Sequence, residues 1–295
     1  AQISLVTKSG TNNVHGSLYE YLRNTKTSAN SFFNNSSGVP RQTLNRNIFG
    51  ASVGGPFVKN RFFYFFNYEG RRDRSEASAV RSVPSMNLRQ GIVEYIRTDG
   101  SVATLSPQQV ATLVDPAAIG ANQAVMRLFQ TYPVPNDSTV GDGLNIVGFR
   151  FKAPLRLRQN TYIAKFDYQL DSSGKHQIFW RGNLQNDNDI STPQFPGDPP
   201  NQVNLDNSKG FAIGYNLLLR PTLISTTRYG YTRQGFENTG IQNRSAISFR
   251  NIDDRYGLTR GLSQILPTQH LAQDFTWTRG AHSIQWGGSI RNAGS

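Results

Sequence analysis

The sequence contains no cysteine, only two methionines and no run of about 18 apolar residues. The absence of cysteine excludes a disulfide framework, a cysteine-ligated metal site and thiol catalysis. The absence of a long apolar run excludes a bilayer-spanning helix. Apolar residues make up only 37% of the 295 positions, below the usual share of a globular protein. A solid core in proportion to the length is therefore not expected.

Acidic residues are also scarce. The 19 Asp and Glu residues are outnumbered by 31 Lys and Arg residues, which gives a net charge of +12 and a pI near 10.1. Such an excess favours partners that carry phosphates, such as nucleic acid or an anionic lipid surface. The arginines are dispersed along the chain instead of lying on one helix or stripe, so we expect no nucleic-acid partner.

Catalytic and metal-binding constellations are missing too. The four histidines are far apart, and none pairs with another at a metal-ligand spacing. Residues 186–189, Asn-Asp-Asn-Asp, have the alternating oxygens of a calcium loop but lack its glycine and its distant glutamate. We therefore expect no enzyme activity, no cofactor and no metal site.

What the sequence does contain is alternation with a period of two, the pattern of strands with one apolar and one polar face. From Arg61 onward the residues at positions 62, 64, 66 and 68 are all aromatic, and from Thr161 onward apolar and polar residues separate cleanly. The pattern predicts about nine strands, each near the length that crosses a bilayer when tilted. Their predicted ranges are 14–23, 48–57, 61–71, 161–170, 177–184, 211–219, 223–233, 271–277 and 283–291.

The connections between these strands alternate strictly between short and long. Short turns are predicted at 58–60, 171–175, 220–221 and 279–281, and long loops at 24–46, 75–158, 189–208 and 239–267. Short periplasmic turns and long extracellular loops are typical of outer-membrane barrels, whereas a soluble sandwich does not sort its loops in this way. The chain is thus predicted to be all-β and part of a transmembrane antiparallel barrel.

The longest loop carries the one predicted helical insertion. Ser106-Pro107 and Asp115-Pro116 each have the form of an N-cap followed by proline, and residues 123–131 have a helical apolar stripe. Two interpretations are open. The insertion is either a folded extracellular cap that meets a ligand or, the interpretation we favour, an element with a packing role.

The polar faces of the strands provide candidates for lining a lumen. Across the turn at 171–175, a shift of two residues decides whether Arg181 lies opposite Asp167 or opposite Lys165, and the sequence does not fix this register. These side chains either contact a plug or a passing substrate or, as we favour, form a charge ladder in a wet interior. The candidates are Asn67, Glu69, Lys165, Asp167, Arg181, Asn183, Arg228, Asp274 and Arg291.

Two further groups of residues point to a lipid environment. All three tryptophans, Trp180, Trp277 and Trp286, fall near a short turn and on the apolar face of a strand, which predicts an aromatic girdle at the periplasmic interface. Arg71, Arg72 and Arg74 follow the outer end of their strand. We expect them to bind phosphates of lipopolysaccharide.

Several motifs in residues 1–75 occur together in a family-like order. Residues 3–12 (ISLVTKSGTN) and 15–24 (HGSLYEYLRN) resemble the junction between plug and barrel in Oar-like TonB-dependent receptors. Residues 47–50 (NIFG), 54–56 (GGP) and 63–70 (FYFFNYEG) are similar to the first barrel hairpin of that family. Ser82-Val83-Pro84, Arg89-Gln90-Gly91 and residues 132–136 (YPVPN) are similar to landmarks in the long loop of the same family. The resemblance weakens after about residue 240.

The resemblance implies a transporter of the bacterial outer membrane whose lumen is closed by a plug. Residues 1–11 would be the C-terminal end of the plug, and residues 12–295 the first part of a barrel of roughly 22 strands. Its partners would be the rest of its own barrel and plug, a TonB-type energy-coupling protein, outer-membrane lipid and an unidentified substrate. A signal peptide, the energy-coupling box and most of the plug and barrel are not within this sequence, so we expect it to be a fragment.

Two other functions remain open at this point. One is a surface adhesion or binding protein of β architecture that does not transport. The other is a secreted β-rich enzyme, which the missing catalytic constellation disfavours. A lipid-facing aromatic band distinguishes the transporter from both.

Overall fold

The computed structural model describes residues 6–30, 40–239, 247–257 and 261–294, together with Phe32 and Asn35. Residues 1–5 of the predicted plug end lie outside the described residues. No helix in the described part of the chain is both long and apolar enough to cross a membrane. The strands are β1 (His15–Asn24), β2 (Leu44–Val58), β3 (Phe62–Pro84), β4 (Val93–Ile96), β5 (Val102–Leu105), β6 (Ile146–Gln169), β7 (His176–Ile190), β8 (Val203–Asp206), β9 (Lys209–Arg220), β10 (Leu223–Thr239), β11 (Leu262–Arg279) and β12 (His282–Ala293).

Ten of these strands form one antiparallel sheet in the order β1-β2-β3-β6-β7-β8-β10-β11-β12. The tenth strand, β9, pairs with the same two neighbours as β8, namely β7 and β10. Together, β8 and β9 therefore occupy one strand position, which is interrupted at residues 207 and 208. The sheet has nine positions, and each contains one of the nine predicted strands.

The hairpin of β3 and β6 reaches much further than the sequence indicated. All 23 residues of β3 pair with β6, from Phe62 opposite Tyr168 to Pro84 opposite Ile146. The predicted loop at 75–158 is therefore wrong at both ends, and the connection covers only residues 85–145. Residues 75–78 (SEAS) lack the alternation that marks a strand in the sequence. They belong to the strand because they pair with β6, which is distant in the sequence. The loop predicted at 189–208 likewise shortens to 191–202.

The sheet has two chemically different sides. On the apolar face, Phe66 contacts Phe166 edge to face with ring centroids 5.5 Å apart, and Phe166 contacts Trp180 at 5.6 Å. Tyr68 and Tyr162 are neighbours on the same face, with centroids 4.9 Å apart. The opposite side is called the polar face, and it carries the intervening residues of each strand.

A separate folded unit stands above the end of the sheet where the long connections lie. This cap is built from residues 85–145, 192–200 and 248–256. Its core unites the end of the β3–β6 hairpin with all three segments, because Val83 and Val147 pack with the buried side chains of Phe129, Tyr132, Phe195 and Ile252. The loops beyond the sheet thus have a hydrophobic core of their own.

The cap contains two short α-helices, a 3₁₀ helix at Leu88–Gln90 and the β4–β5 hairpin, which forms a separate two-stranded sheet. The first helix, α1, spans Pro107–Gln109 and continues as a π-turn through Val110–Val114; its N-cap is Ser106, as predicted. The second helix, α2, spans Gln123–Gln130 and is capped by Asn122. The prediction that Asp115-Pro116 begins a helix is wrong. The Asp115 carboxylate instead accepts hydrogen bonds from the amides of Ala117, Ile119 and Gly120 in a turn.

The apolar stripe of α2 faces the cap core, where Phe129 is buried and Val125, Met126 and Leu128 pack around it. The position of α2 in the cap core is the one expected from the packing role that we favoured for the insertion.

Candidate functional site

The register places all nine candidate residues for the lumen on the polar face. Asn67 and Glu69 lie opposite Ile163 and Thr161, and Asn183 lies opposite Ile163 on the other side of β6. Arg291 lies opposite His270 at the far edge of the sheet. The strand alternation read from the sequence is sufficient to assign this face, because one error in phase would have moved a whole strand to the other side.

The register across the turn at 170–175, which the sequence left open, brings two cations together. Lys165 lies directly opposite Arg181, whereas Asp167 lies opposite Phe179. Asp167 instead pairs along its own strand with Lys165, at 3.3 Å between Nζ and Oδ1. Among the described residues, Nε of Arg181 and Oδ2 of Asp167 are buried without a hydrogen-bond partner. Because buried polar atoms are normally satisfied, this part of the polar face has unused hydrogen-bonding capacity.

The described residues that precede β1 enter the turn end of this same face. Lys165 Nζ donates a hydrogen bond of 2.6 Å to Ser9 Oγ, and the amide of Asn60 donates one of 2.7 Å to the Asn12 side chain. Gly10 lies so close to the carbonyls of Tyr64 and Gly55 that a Cβ at this position would clash with backbone. The glycine therefore allows the entering segment to lie directly on the wall of the sheet.

Higher on the polar face lies a charged cluster that the sequence analysis did not assign. Asp73 is bridged by Arg46 and by Arg71, each at 2.7 Å. Asp187 and Asp189 belong to the same face, and each has one buried carboxylate oxygen with no partner within the described ranges. The cluster combines residues of β2, β3 and β7, which are distant in the sequence, so it is recognised only from the strand order and register.

Two other polar-face residues are paired. Glu69 accepts a hydrogen bond of 2.7 Å from the Tyr19 hydroxyl. Arg228 forms an ion pair with Asp274 on the adjacent strand. Both pairs fit a polar ladder along the sheet.

The three tryptophans all lie on the apolar face and at the end of the sheet with the short turns. Trp180 lies opposite Phe166 and Ile213, Trp277 opposite Leu223 and Ile284, and Trp286 is stacked on Phe275 with centroids 5.5 Å apart. This is the placement that a girdle requires; its contact with lipid remains a prediction.

The structure separates the three arginines that were grouped as lipopolysaccharide ligands. Arg71 lies on the polar face and binds Asp73. Arg72 and Arg74 lie on the apolar face, opposite Arg158 and Arg156. Neighbours in sequence alternate between the faces of a strand, so only Arg72 and Arg74 of the original three can bind one ligand on that face.

Inside the cap, buried polar groups hold the loops together. Arg89, 4% exposed, donates hydrogen bonds to the carbonyls of Pro84, Tyr132 and Pro133. The Tyr132 hydroxyl donates to the carbonyl of Asp253 at 2.9 Å. Burial raises the pKa of Tyr132 to about 12 and lowers the pKa of Arg89. Residues from the three long-loop motifs of the family resemblance (82–84, 89–91 and 132–136) are thus in contact within a single core.

A metal centre has no candidate site in the described ranges. There, no group of three or more His, Asp or Glu side chains is arranged to hold a metal ion. The strand residues Asp187 and Asp189 project to the opposite side from Asn186 and Asn188, so the sequence 186–189 does not form a loop around an ion. The charged and amide side chains on the polar face can form hydrogen bonds and ion pairs with a polar partner.

A groove with a volume of about 1160 Å³ crosses the apolar face. It runs over glycine and alanine positions such as Gly16, Ala51 and Gly182, between larger side chains that include Leu18, Phe66 and Trp180. Its lining is almost entirely apolar, so it suits hydrocarbon better than a polar substrate.

Comparison with known proteins gives one result that covers nearly the whole chain. The family model described as an outer membrane beta barrel domain matches residues 6–295. No curated protein matches the chain.

Proposed function

Because the chain belongs to the outer membrane β-barrel domain family, and so to the bacterial outer membrane, we propose that it is part of a TonB-dependent transporter. In this proposal it moves a substrate across the outer membrane with energy supplied from the inner membrane through a TonB-type coupling protein. The chain would contribute part of the barrel wall, the end of a plug and an extracellular cap. It would perform no covalent chemistry, since no catalytic group is evident on the polar face.

The observation that carries this proposal is the course of the segment before β1. Its side chains bind the polar face through Ser9 and the adjacent β2–β3 turn through Asn12, and Gly10 lies against the strand backbone. A chain that enters the interior face at the turn end is what a plug connected to the first strand requires.

The alternative is an outer-membrane surface-binding protein that does not transport. The observation that favours it is the cap, whose core is closed by buried aromatic residues and an interior arginine. A rigid unit of this kind is suited to contact a host surface or a carbohydrate. Adhesion, however, does not require a preceding segment on the polar face.

The two functions are distinguished by a test that needs no knowledge of the substrate. Cells produce either the full protein as encoded or a variant whose mature chain begins at Thr11. A wide barrel that loses its plug leaves an aqueous channel, so we expect the variant to make cells sensitive to vancomycin, which the intact outer membrane excludes.

Both proteins are first shown to reach the outer membrane in equal amount and in a folded, heat-modifiable form. A matched variant with Lys8→Ala keeps the segment and should leave vancomycin resistance unchanged. Unchanged resistance in the shortened variant would contradict a plugged wide barrel and favour the adhesion alternative.

A further inference from the structure

The apolar face carries an unusual concentration of positive charge above its aromatic band. Arg72 lies directly opposite Arg158, and Arg74 directly opposite Arg156, so four guanidinium groups occupy two adjacent cross-strand pairs. Side chains in such pairs have Cβ atoms about 5 Å apart, and like charges directly opposite one another are destabilising. A bound anion would relieve this repulsion between the guanidinium groups. These four residues are called the arginine quartet.

No protein group in the described part of the chain neutralises the quartet. The flanking positions on the neighbouring strands are uncharged, with Asn47 beside Arg72 and Asn188 beside Arg158. Asp73, next in sequence, is on the polar face and is already bound by Arg46 and Arg71. Glu76 is the nearest acidic residue on the same face, and it forms no ion pair among the described residues.

The four guanidinium groups are not equally available. Arg72 is anchored, since it donates to the carbonyls of Arg71 and Gln159 and to the side chain of Asn160 and lies over the Phe49 ring at 5.4 Å. Arg74, Arg156 and Arg158 are exposed and make no hydrogen bond or ion pair within the described ranges. Three free guanidinium groups around one fixed group can converge on a multiply charged oxyanion.

The height of the quartet identifies the source of that anion. A tilted strand rises about 2.5 Å per residue along the membrane normal, so the stretch from Phe62 to Arg72 covers about 25 Å, the height of the apolar band of an outer-membrane protein. On β3 and β6 the aromatic side chains of this face end at Tyr68 and Tyr162, and the arginines begin beyond the next same-face pair, Gly70 and Asn160. The quartet thus lies at the outer membrane–water boundary and on the side that faces lipid.

We infer that the arginine quartet is a binding site for the phosphate groups of lipid A, the membrane-embedded part of lipopolysaccharide. The phosphates lie between Arg74, Arg156 and Arg158, and the acyl chains continue down the apolar face. The site is independent of transport, since it requires only that this face meets the outer leaflet.

The test measures binding of fluorescent bisphosphorylated lipid A to the full-length protein in detergent after removal of bound lipid. We expect Arg156→Glu combined with Arg158→Glu to weaken binding by at least about tenfold, the scale of one lost charge-assisted contact. The control is Arg127→Glu, which reverses an exposed charge on α2 in the cap and should bind as the unmodified protein does. Arg156→Lys with Arg158→Lys should retain most of the binding.

Two further ligands distinguish lipid from a free anion. Dephosphorylated lipid A should bind the unmodified protein as weakly as bisphosphorylated lipid A binds the double Glu variant. Inorganic phosphate at the concentration of the lipid should not displace it. Equal binding by the dephosphorylated lipid, or displacement by inorganic phosphate, would overturn the assignment to lipid A.

The folding of each variant is checked by its heat-dependent mobility in gel electrophoresis. If Arg156→Glu with Arg158→Glu does not fold, Arg156→Gln with Arg158→Gln replaces it, since glutamine removes the charge without introducing repulsion. Full lipid A binding by a folded variant of either kind would refute the site.

Discussion

At the scale of single residues, the cap depends on one buried cation. Arg89 has no carboxylate partner among its hydrogen bonds; its guanidinium group serves three backbone carbonyls, from Pro84, Tyr132 and Pro133. Its own carbonyl accepts from the Gln130 side chain at 2.8 Å. The residue therefore connects the end of β3 to the chain that follows α2. Planar geometry with five donors makes arginine suited to this role.

We predict that Arg89→Met opens the cap and leaves the sheet folded. The substitution keeps an apolar stem but leaves buried carbonyls without donors, at a cost of about 2–4 kcal/mol in the stability of the cap. Hydrogen exchange should rise across residues 85–145 and stay unchanged in β7 and β9.

The matched control for that change is Arg127→Met, since Arg127 is an exposed residue on α2 and its loss should leave exchange unaltered. If residues 85–145 of the Arg89→Met variant were as well protected from hydrogen exchange as those of the unmodified protein, a central role for this guanidinium group would be contradicted.

At the scale of strands, aromatic rings cover glycines on neighbouring positions. Phe179 lies over Gly214 directly across the β7–β9 pair, and Tyr19 lies over Gly50 across the β1–β2 pair. Phe49 covers Gly70 in the same way. A glycine under a ring allows close approach of the ring to the backbone, and the ring shields a strand position that lacks a side chain.

We predict that Gly214→Ala destabilises the sheet, because its Cβ would collide with the Phe179 ring and force that ring off the polar face. The expected cost is roughly 1–3 kcal/mol. It would be measured as a lower urea midpoint for unfolding of the full protein in detergent.

Gly230→Ala, in the adjacent strand β10, provides the comparison. A Cβ there meets nothing closer than the Phe211 carbonyl at 4.0 Å, so this variant should be as stable as the parent or slightly more stable. Equal midpoints for the two variants would show that the ring over Gly214 yields without cost.

The sequence predicted the strands but not the register between them. Nine strands, their two faces and the alternation of connections follow from side-chain period and turn residues, which are local properties. Whether Lys165 meets Arg181 depends on the geometry of the 170–175 turn. The upper part of β3 was missed because residues such as Glu76 and Ser78 carry no alternation; they are strand residues because β6 pairs with them. The same pairing places Arg156 and Arg158 opposite Arg74 and Arg72, which the sequence did not indicate.

At the scale of the whole molecule, the apolar face should mark the position of the bilayer. Trp180, Trp277 and Trp286 all lie near the short turns, so we predict that they form one band at the periplasmic membrane surface. The fluorescence of these three tryptophans is obtained as the difference between the unmodified protein and the triple variant W180F, W277F and W286F. In vesicles, lipids brominated near the headgroup should quench this difference signal. Acrylamide, a water-soluble quencher, should have little effect on the same difference signal.

The opposite pattern would contradict the band. If acrylamide quenched the difference signal fully and brominated lipids left it unchanged, the apolar face would be turned toward water or protein. The transporter proposal assumes a lipid-facing surface, so this result would count against it.

The β3–β6 hairpin has a mechanical consequence. Its ladder continues without a shift in register from the turn at 59–61 to the base of the cap, and Val83 and Val147 at its tip belong to the cap core. One uninterrupted hydrogen-bonded ladder therefore joins the cap to the end of the sheet where Lys165 binds Ser9. The cap cannot slide along the strands unless cross-strand pairs of this ladder break.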